Sequence, residues 1–500
     1  MNKFIKYICL GALALNFSAC DSWLDVNPSD KYSADTFWKT KEHATAGIMG
    51  CYNALYPWRK VHTMEFEMMT SNCIPYNETN GTLAISQGVH QPTNFIIAYF
   101  WSNCYTGIGR TNILLDNIGN VNMDAKEKEQ IAGEGKFLRA FYYMNLVDKF
   151  GGVPLILESP NAQKHATLPR NSKEECVNQI LKDLEEASAV LPEKYDNNKQ
   201  GRVTKGAALA LKARALLYYS KWSEAAQAAK QVIDGGQYRL FDDYRHFFSE
   251  ANKHNCEVIF NIESKLPEAP NCYDPDLWRL NRPAPLKELV DMYLMTDGKT
   301  IEESPLYDAE KPFDNRDPRL LKSIVCVGHK YLGKTITKSD VPTTGFGIKK
   351  YTSYEDDESR PLVEMAAYNF ILIRYAEVLL TYAEAQNEAV GPDQSVYDAI
   401  NQLRRRPDIQ MPDVPQGLSQ DEMREVIRRE RRVELAFEGL YYSDVLRWKT
   451  IEKENNGYVH NYLDEEIDKR SFNPDRDYLW PIPYNETVLN PNLEQNPLWK

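Results

Sequence analysis

Long hydrophobic runs are nearly absent from this sequence of 500 residues. The one pronounced run, Tyr7 to Leu15, has nine residues, whereas a helix that crosses a bilayer needs about 20. Lys3 and Lys6 precede the run, and Ser18-Ala19 supplies small residues ahead of Cys20. Basic, apolar and small-residue segments in this order are typical of a secretory signal and not of a spanning helix. The sequence therefore predicts export, with a signal at residues 1–19.

Cys20 stands where a lipoprotein signal would be cut, so that it becomes the first mature residue. The stretch resembles a bacterial lipobox, although Phe17 occupies a position where Leu, Val or Ile is commoner. Acyl chains on one residue tether a protein to a membrane surface, because each buried methylene adds about 0.8 kcal/mol. We predict lipidation of Cys20 and a polar tether at residues 20–33. The alternative is an ordinary signal peptide that is cut nearby and leaves Cys20 unmodified.

Cysteine is also scarce after Cys20. The seven remaining cysteines are widely spread and form no C-x-x-C pair, which excludes a zinc site of that type and a dense disulfide framework. Cys51, Cys73 and Cys104 lie near one another in the sequence, and a disulfide between two of them is an alternative that the sequence leaves open.

Positive charge is not in excess. Lys and Arg number 59 against 71 Asp and Glu, a net charge of −12, so the electrostatic basis for binding nucleic acid is missing. The basic run at Arg428–Arg432 lies among as many carboxylates. We interpret it as a helix with surface ion pairs at i,i+4 spacing, such as Glu425 with Arg429. No nucleic-acid partner is predicted.

Catalytic signatures are lacking too. The eight histidines form no H-E-x-x-H motif, and no G-x-S-x-G is present. "GHKYLGKT" at residues 328–335 has P-loop spacing, but a P-loop requires a helix immediately afterwards. Here β-branched residues, Pro342 and Gly345 follow, which favours a hairpin. "EDDE" at residues 355–358 is interpreted as a solvated loop, and we predict no metal and no cofactor. The expected class is a binding protein; a glycoside hydrolase, whose paired carboxylates only the fold can place, is a less favoured alternative.

Helical periodicity dominates what is present. Apolar side chains recur at three- and four-residue steps around Trp101 and Trp448, which are therefore predicted to be core residues. Ser172 with Glu175 and Ser419 with Glu422 form capping boxes. The alanine-rich stretch from Thr204 to Gly236 is typical of a tetratricopeptide-type helical hairpin.

We predict a predominantly α fold in three parts. Residues 34–243 form a helical part with such hairpins. Residues 244–365 form a loop-rich insertion with short strands. Residues 366–500 form a second helical part and an extended tail.

Several stretches taken together resemble the SusD/RagB family of surface lipoproteins. They include "DTFWKTKEHATAGIMGCYNAL", "EGKFLRAFYYMNLVDKFGGVPL", "ILIRYAEVLLTYAEAQNE" and "IRRERRVELAFEGLYYSDVLRWK", and they follow the family order along nearly the whole chain. The resemblance implies a SusD-like fold, in which a helical lobe of four tetratricopeptide-type hairpins carries a loop-rich second lobe.

The resemblance also implies a function. Family members are outer-membrane nutrient-binding proteins, typically glycan-binding, that sit as a lid on a SusC-like TonB-dependent transporter. We therefore expect a non-catalytic, lipid-anchored protein at the cell surface that captures an oligosaccharide and delivers it to such a transporter. The alternative is a peptide or another nutrient in the same role, as in the RagB-like branch.

The predicted ligand contacts lie in two loops. Sugar affinity in such proteins comes from aromatic faces that stack on C–H surfaces, while amides and arginines bind the hydroxyls. In "MMTSNCIPYNETNG" the predicted platform is Tyr76, with Asn72 and Asn77 as hydrogen-bonding neighbours. In "NCYDPDLWRLNRP" the predicted contacts are Tyr273, Trp278 and Arg279. Core packing is the alternative for each aromatic residue.

Overall fold

The computed structural model describes residues 37–56, 62–75, 81–196 and 199–499, with the backbone alone at residues 62, 63 and 279. Cys20, the predicted signal and the whole of the predicted tether lie outside these ranges. The α-helices of the described residues, numbered α1 to α17 in chain order, are Lys41–Asn53, His62–Glu65, Thr82–Ser86, Phe95–Asn117, Ala125–Phe150, Ala162–His165, Lys173–Val190, Lys205–Tyr218, Trp222–Asp234, Lys287–Val290, Arg319–Ser323, Tyr375–Val390, Gln394–Arg404, Gln420–Glu434, Tyr441–Trp448, Ile451–Glu454 and Tyr484–Leu489.

Strands are short and come in antiparallel pairs. Those of the described residues, numbered β1 to β10, are Cys73–Ile74, Val258–Ile262, Ala284–Pro285, Ile324–Cys326, Lys330–Tyr331, Lys334–Thr335, Phe346–Ile348, Phe370–Arg374, Gly457–His460 and Glu466–Arg470. The pairs are β1 with β3, β2 with β8, β4 with β7, β5 with β6 and β9 with β10. The β5–β6 pair spans "GHKYLGKT", which confirms a hairpin at the P-loop-like run.

The long helices form a frame of antiparallel neighbours. Helix α5 packs between α4 and α7, and α8 packs between α7 and α9. Alanines along α8, such as Ala207 and Ala210, are buried, so the helix axes can approach closely. Both predicted capping boxes are present, at Ser172 and at Ser419. The predominantly α fold with helical hairpins is thus confirmed.

The frame continues across the loop-rich stretch, because α9 packs directly on α12. Strands β2 and β8, which lie near the two ends of that stretch, pair antiparallel, with Val258 opposite Arg374 and Ile262 opposite Phe370. Since β8 leads directly into α12, the β2–β8 pair holds the two ends of the loop-rich stretch against the frame. Among the residues described, no helix is long and apolar enough to cross a bilayer.

A buried cluster of ten charged side chains, the ionic hub, fixes the loop-rich stretch to the frame. Its members are Glu257, Asp317, Arg319, Lys350, Arg374, Arg404, Arg406, Glu430, Glu434 and Glu438. Glu434 on α14 accepts hydrogen bonds from Arg374 at 2.8 Å, Arg406 at 3.0 Å and Arg319 at 2.9 Å. Arg374 also donates to Glu438 at 2.7 Å and to Glu257 at 2.7 Å. These guanidinium groups lower the pKa of Glu434, against the effect of its burial.

The ionic hub corrects the interpretation of the basic run at Arg428–Arg432. The helix is α14, as predicted, but Glu430, Arg431, Arg432 and Glu434 are buried and pair with other elements. Arg431 donates to Asp444 of α15 at 2.7 Å. The prediction of surface ion pairs at i,i+4 spacing was wrong, because the spacing of charges along one helix does not show which face of that helix the rest of the protein covers.

The cysteine cluster forms no disulfide. Cys51, Cys73 and Cys104 are buried and free in the structure. Burial raises the pKa of Cys51 to about 12, which keeps that thiol protonated and unreactive.

Candidate functional site

The two predicted ligand-binding loops meet at the short β1–β3 ladder. Cys73 lies opposite Pro285 and Ile74 lies opposite Ala284. Tyr76 follows Ile74 by two residues, and Arg279 precedes Ala284 by five. The fold therefore brings together stretches that are about 200 residues apart in the sequence. We call the surface around this ladder, from the π-helical turn Pro275–Arg279 to β3, the loop face.

Asn72 supports the loop face from below and is not a ligand contact. Its side chain is fully buried. The amide nitrogen donates to Glu67 at 2.7 Å, and the amide oxygen accepts from Arg432 at 2.8 Å. The Asn72 carbonyl also accepts from the backbone N–H of Leu286 at 2.9 Å. The prediction for Asn72 was wrong because both ends of the amide are used to hold the ladder on α14.

Tyr273 and Trp278 are packed inside the protein. Tyr273 is 1% exposed, and its ring packs edge-on against Tyr351 at a centroid distance of 5.8 Å. Trp278 is 7% exposed and packs edge-on against Tyr331 at 4.9 Å. Neither ring offers a free face for stacking in this structure, which corrects both predictions. The surrounding turn formers indicated exposure, but Tyr273 packs in the main core, and the π-helical turn inserts Trp278 into a small core of its own.

The predicted ligand contacts at three residues are not tested by the structure and stay predictions. Tyr76 and Asn77 lie outside the described residues, as does Cys20. The side chain of Arg279 is not described, although its backbone ends the π-helical turn.

Asn281 is the residue that sequence reasoning missed. It lies between the π-helical turn and β3 with a left-handed backbone, φ +46°. The residue is 2% exposed, yet neither its amide oxygen nor its amide nitrogen has a hydrogen-bond partner within the described structure. An unpaired buried polar group costs about 1–3 kcal/mol, so each one calls for an explanation, such as an ordered water or a bound group. The available signal was an asparagine among turn formers, since asparagine tolerates this backbone conformation.

The β9–β10 hairpin forms the rim of the loop face. Val459 packs in a small core with Ile74 and Ala284. The Tyr462 backbone N–H donates to the Thr344 carbonyl at 2.8 Å, and Lys338 lies 5.2 Å from the Tyr462 ring centroid. Tyr462 is thus a half-buried aromatic ring at the rim, whereas Leu280, next to Asn281, is 43% exposed.

The stem of the first loop is held by charged groups. Arg470 donates to the carbonyls of Thr70 and Cys73, and burial lowers its pKa to about 10. Glu67 accepts from Asn72 and from the Gly439 backbone N–H at 2.9 Å. Burial raises the pKa of Glu67 to about 7. The loop face therefore rests on a rigid base.

The described residues were also searched for side-chain groups that could hold a metal ion. Across the described ranges, no group of three or more His, Cys, Asp or Glu side chains is arranged to hold a metal ion. In the "EDDE" loop, Asp356 pairs with Lys349, and Asp357 pairs with Lys330 at 3.0 Å.

Two family profiles match the chain. The profile described as "SusD family" matches residues 230–499, and the profile described as "Starch-binding associating with outer membrane" matches residues 22–217. A SusD-like protein of Formosa agariphila is 26% identical over 99% of this chain and 97% of its own length.

Solved structures agree with these matches. A SusD-like carbohydrate-binding protein from Bacteroides fragilis has a TM-score of 0.85 and 26% identity, covering 92% of this chain and 100% of its own. A second SusD-like protein from the same species has a TM-score of 0.83 and 27% identity, covering 95% of this chain and 100% of its own.

Proposed function

The chain belongs to the SusD family, and on that premise we propose that it is a non-catalytic receptor for an oligosaccharide. It holds the ligand at the loop face and delivers it to a SusC-like TonB-dependent transporter. Acyl groups on Cys20 anchor it to the outer membrane at the cell surface. One structural relative is described as carbohydrate-binding, which supports the class of ligand.

The observation that carries the proposal is the match to the SusD family together with a solved relative described as carbohydrate-binding. The buried, unpaired amide of Asn281 is the candidate polar contact, which ligand binding uncovers. A sugar hydroxyl both donates and accepts, so one or two neighbouring hydroxyls satisfy the amide oxygen and the amide nitrogen together. The amide is neutral and rigidly placed, which suits recognition without charge. Tyr76, which lies outside the described residues, is proposed as the aromatic platform.

The test is binding of soluble glycans and peptides to the mature chain by titration calorimetry. We expect saturable binding of a glycan, weakened about tenfold or more in Asn281→Gly, because the hydrogen bonds to the amide are lost. Glycine also suits the left-handed backbone, so the variant should stay folded. Tyr76→Ala should weaken binding by a similar factor.

Asn315→Gly is the matched control. Asn315 is exposed and has φ +57°, so the same substitution is made at the same kind of backbone position away from the loop face. Its affinity should equal that of the unaltered chain. Binding of peptides with indifference to every glycan would select the alternative nutrient, and release of reducing ends would show a hydrolase.

Anchoring and delivery have their own tests. Mass spectrometry of the membrane-extracted protein should find acyl groups on Cys20. Affinity purification from membranes should recover a TonB-dependent transporter with the protein. An unmodified residue 20, or purification without any such transporter, would remove that part of the proposal.

A further inference from the structure

Two adjoining cavities lie on the helical frame, apart from the loop face. One has a volume of about 230 Å³ and the other about 260 Å³. They share Gln200, Gly201, Arg202 and Asn261 as lining residues, so they flank a single turn of the chain between α7 and α8. None of the residues that line them belongs to the loop face.

Tyrosine rings line both cavities. Tyr195 and Tyr238 line the first, and Tyr52 lines the second. The Tyr238 hydroxyl and the Thr204 hydroxyl are hydrogen-bonded at 2.9 Å. The Tyr238 ring lies so close to Gly206 that a Cβ there would be 2.5 Å from it. This ring is therefore held in one position.

A single buried carboxylate organises the other rings. Glu134 of α5 is fully buried. It accepts hydrogen bonds from the Tyr52 hydroxyl at 2.6 Å, the Tyr195 hydroxyl at 3.1 Å and Arg202 at 2.8 Å. Arg202 also lies 5.3 Å from the centroid of the Tyr195 ring. Side chains from both cavities are thus fixed by one group, and rings fixed in advance lose little entropy when a ligand stacks on them.

The cavities carry little unbalanced charge. Glu134 neutralises Arg202, and His254 lies 3.7 Å from Glu263. The lining also contains Glu193, Lys194 and Lys199, of which Glu193 pairs with Lys205 and Lys199 lies 3.8 Å from Glu127. Gln200 is exposed on the turn that both cavities share. Fixed aromatic rings with an exposed amide and little unbalanced charge are suited to a neutral, hydroxyl-rich ligand.

We propose that these cavities form a second subsite for neutral oligosaccharide, a proposal that takes its ligand class from the proposed function. Sugar rings lie against Tyr195 and Tyr238 in the first cavity and against Tyr52 in the second, and the Gln200 amide binds hydroxyls where the ligand crosses the turn. A long glycan that reaches both this subsite and the loop face binds more tightly than a short one, because the second contact is intramolecular.

The test uses the mature chain carrying Asn281→Gly, so that binding at the loop face is weakened and binding at the cavities can be measured against it. Maltohexaose, cellohexaose and mannohexaose are titrated by calorimetry and soaked into crystals. We expect at least one to bind, with density against Tyr195 and Tyr238. Adding Gln200→Trp, which fills both cavities, should weaken that binding about tenfold, and Gln200→Ala about two- to fivefold.

Gln227→Trp is the control, since Gln227 is an exposed residue of α9 that lines neither cavity. It should leave binding unchanged. The proposal is overturned if none of the three hexasaccharides binds the Asn281→Gly chain, or if Gln200→Trp leaves the binding unaltered while thermal unfolding shows a folded protein. Loop-face binding that survives Gln200→Trp in the otherwise unaltered chain would keep the proposed function even then.

Discussion

The ionic hub and the loop face treat buried polar groups in opposite ways. In the hub, every one of the ten charged side chains has a partner of opposite sign within 3.0 Å. At the loop face, Asn281 is equally buried and its amide has no partner among the described residues. Because a native fold normally pairs its buried polar groups, this contrast is the reason for proposing that a ligand completes the loop face.

The connection between the two regions is also informative. Glu67 and Asn72 link the loop stem to Gly439 and Arg432 at the carboxyl end of α14. Glu430 and Glu434 of the hub lie on the same helix. The base of the loop face and the hub are therefore joined through α14.

The largest expected effect is at the centre of the hub. Glu434→Ala leaves three buried arginines without a shared partner, and removal of one member of a buried ion pair costs about 3–5 kcal/mol. Urea unfolding should show this loss in the free energy of unfolding. Glu425→Ala on the same helix is the control, because Glu425 is exposed and its ion pair with Arg428 lies at the surface, and it should cost less than about 1 kcal/mol. Equal losses in the two variants would contradict the assigned role of the hub.

The pH dependence of stability should have opposite signs in the two regions. Burial raises the pKa of Glu67 to about 7, so the folded state binds more protons than the unfolded state between pH 4.5 and 7. Its ionisation therefore lowers the free energy of unfolding as pH rises through that window, by up to about 3 kcal/mol. Arginine neighbours lower the pKa values of Glu430, Glu434 and Glu438 in the hub, so the contribution of these three carboxylates is present above about pH 4.5 and is lost only on further acidification.

Glu67→Gln isolates the first of these effects. Urea unfolding at several pH values between 4.5 and 8 should show a smaller decline in stability for the variant than for the unaltered chain. A decline of the same size in both would mean that Glu67 is not the group that titrates.

Two buried asparagines provide the next test. The Asn496 amide donates to the carbonyls of Phe150 at 3.0 Å and Trp480 at 2.7 Å. Asn496→Ala removes the amide donor from the Trp480 carbonyl and leaves the Phe150 carbonyl with Arg170 as its remaining donor, and we expect it to cost about 1–3 kcal/mol. Asn281→Gly removes an amide that has no partner, and it should change the free energy of unfolding by less than about 1 kcal/mol. Chemical denaturation of the two variants compares them directly, and an equal cost would remove the argument from Asn281.

The smallest expected effect is at the other end of α14. Ser419 caps the helix and exchanges hydrogen bonds with Glu422 at an exposed site. Ser419→Ala should cost about 1 kcal/mol, well below the cost of Glu434→Ala on the same helix. Thermal unfolding measures both, with Ser419→Asp as a conservative variant that should restore most of the loss.

Local patterns were read correctly from the sequence. The capping boxes at Ser172 and Ser419 form as expected, and Trp101 is buried on its helical stripe. The hairpin at residues 328–335 was also predicted, because β-branched residues and a proline made a helix there unfavourable. In each case the interacting residues lie within a few positions of one another, so spacing alone carries the information.

Contacts between side chains that are distant in the sequence could not be predicted in this way. Trp278 and Tyr273 lie among turn formers, which favoured exposure, but the turn packs on Tyr331 and Tyr351. Asn72 was expected to face a ligand and instead bonds to Arg432, 360 positions away. Local chemistry shows what a side chain can do, whereas only the packed fold decides what it meets.

The sequence by itself determined the helical periods, the helix starts, the order of family motifs and the predicted acylation position at Cys20, because each depends on neighbouring residues. Only the tertiary structure decided which charges are buried in the hub, which amide is left unpaired at the loop face, and that Glu134 fixes tyrosines from two separate segments. The physical reason is that burial and pairing depend on contacts between distant segments, and these arise only when helices and loops pack together.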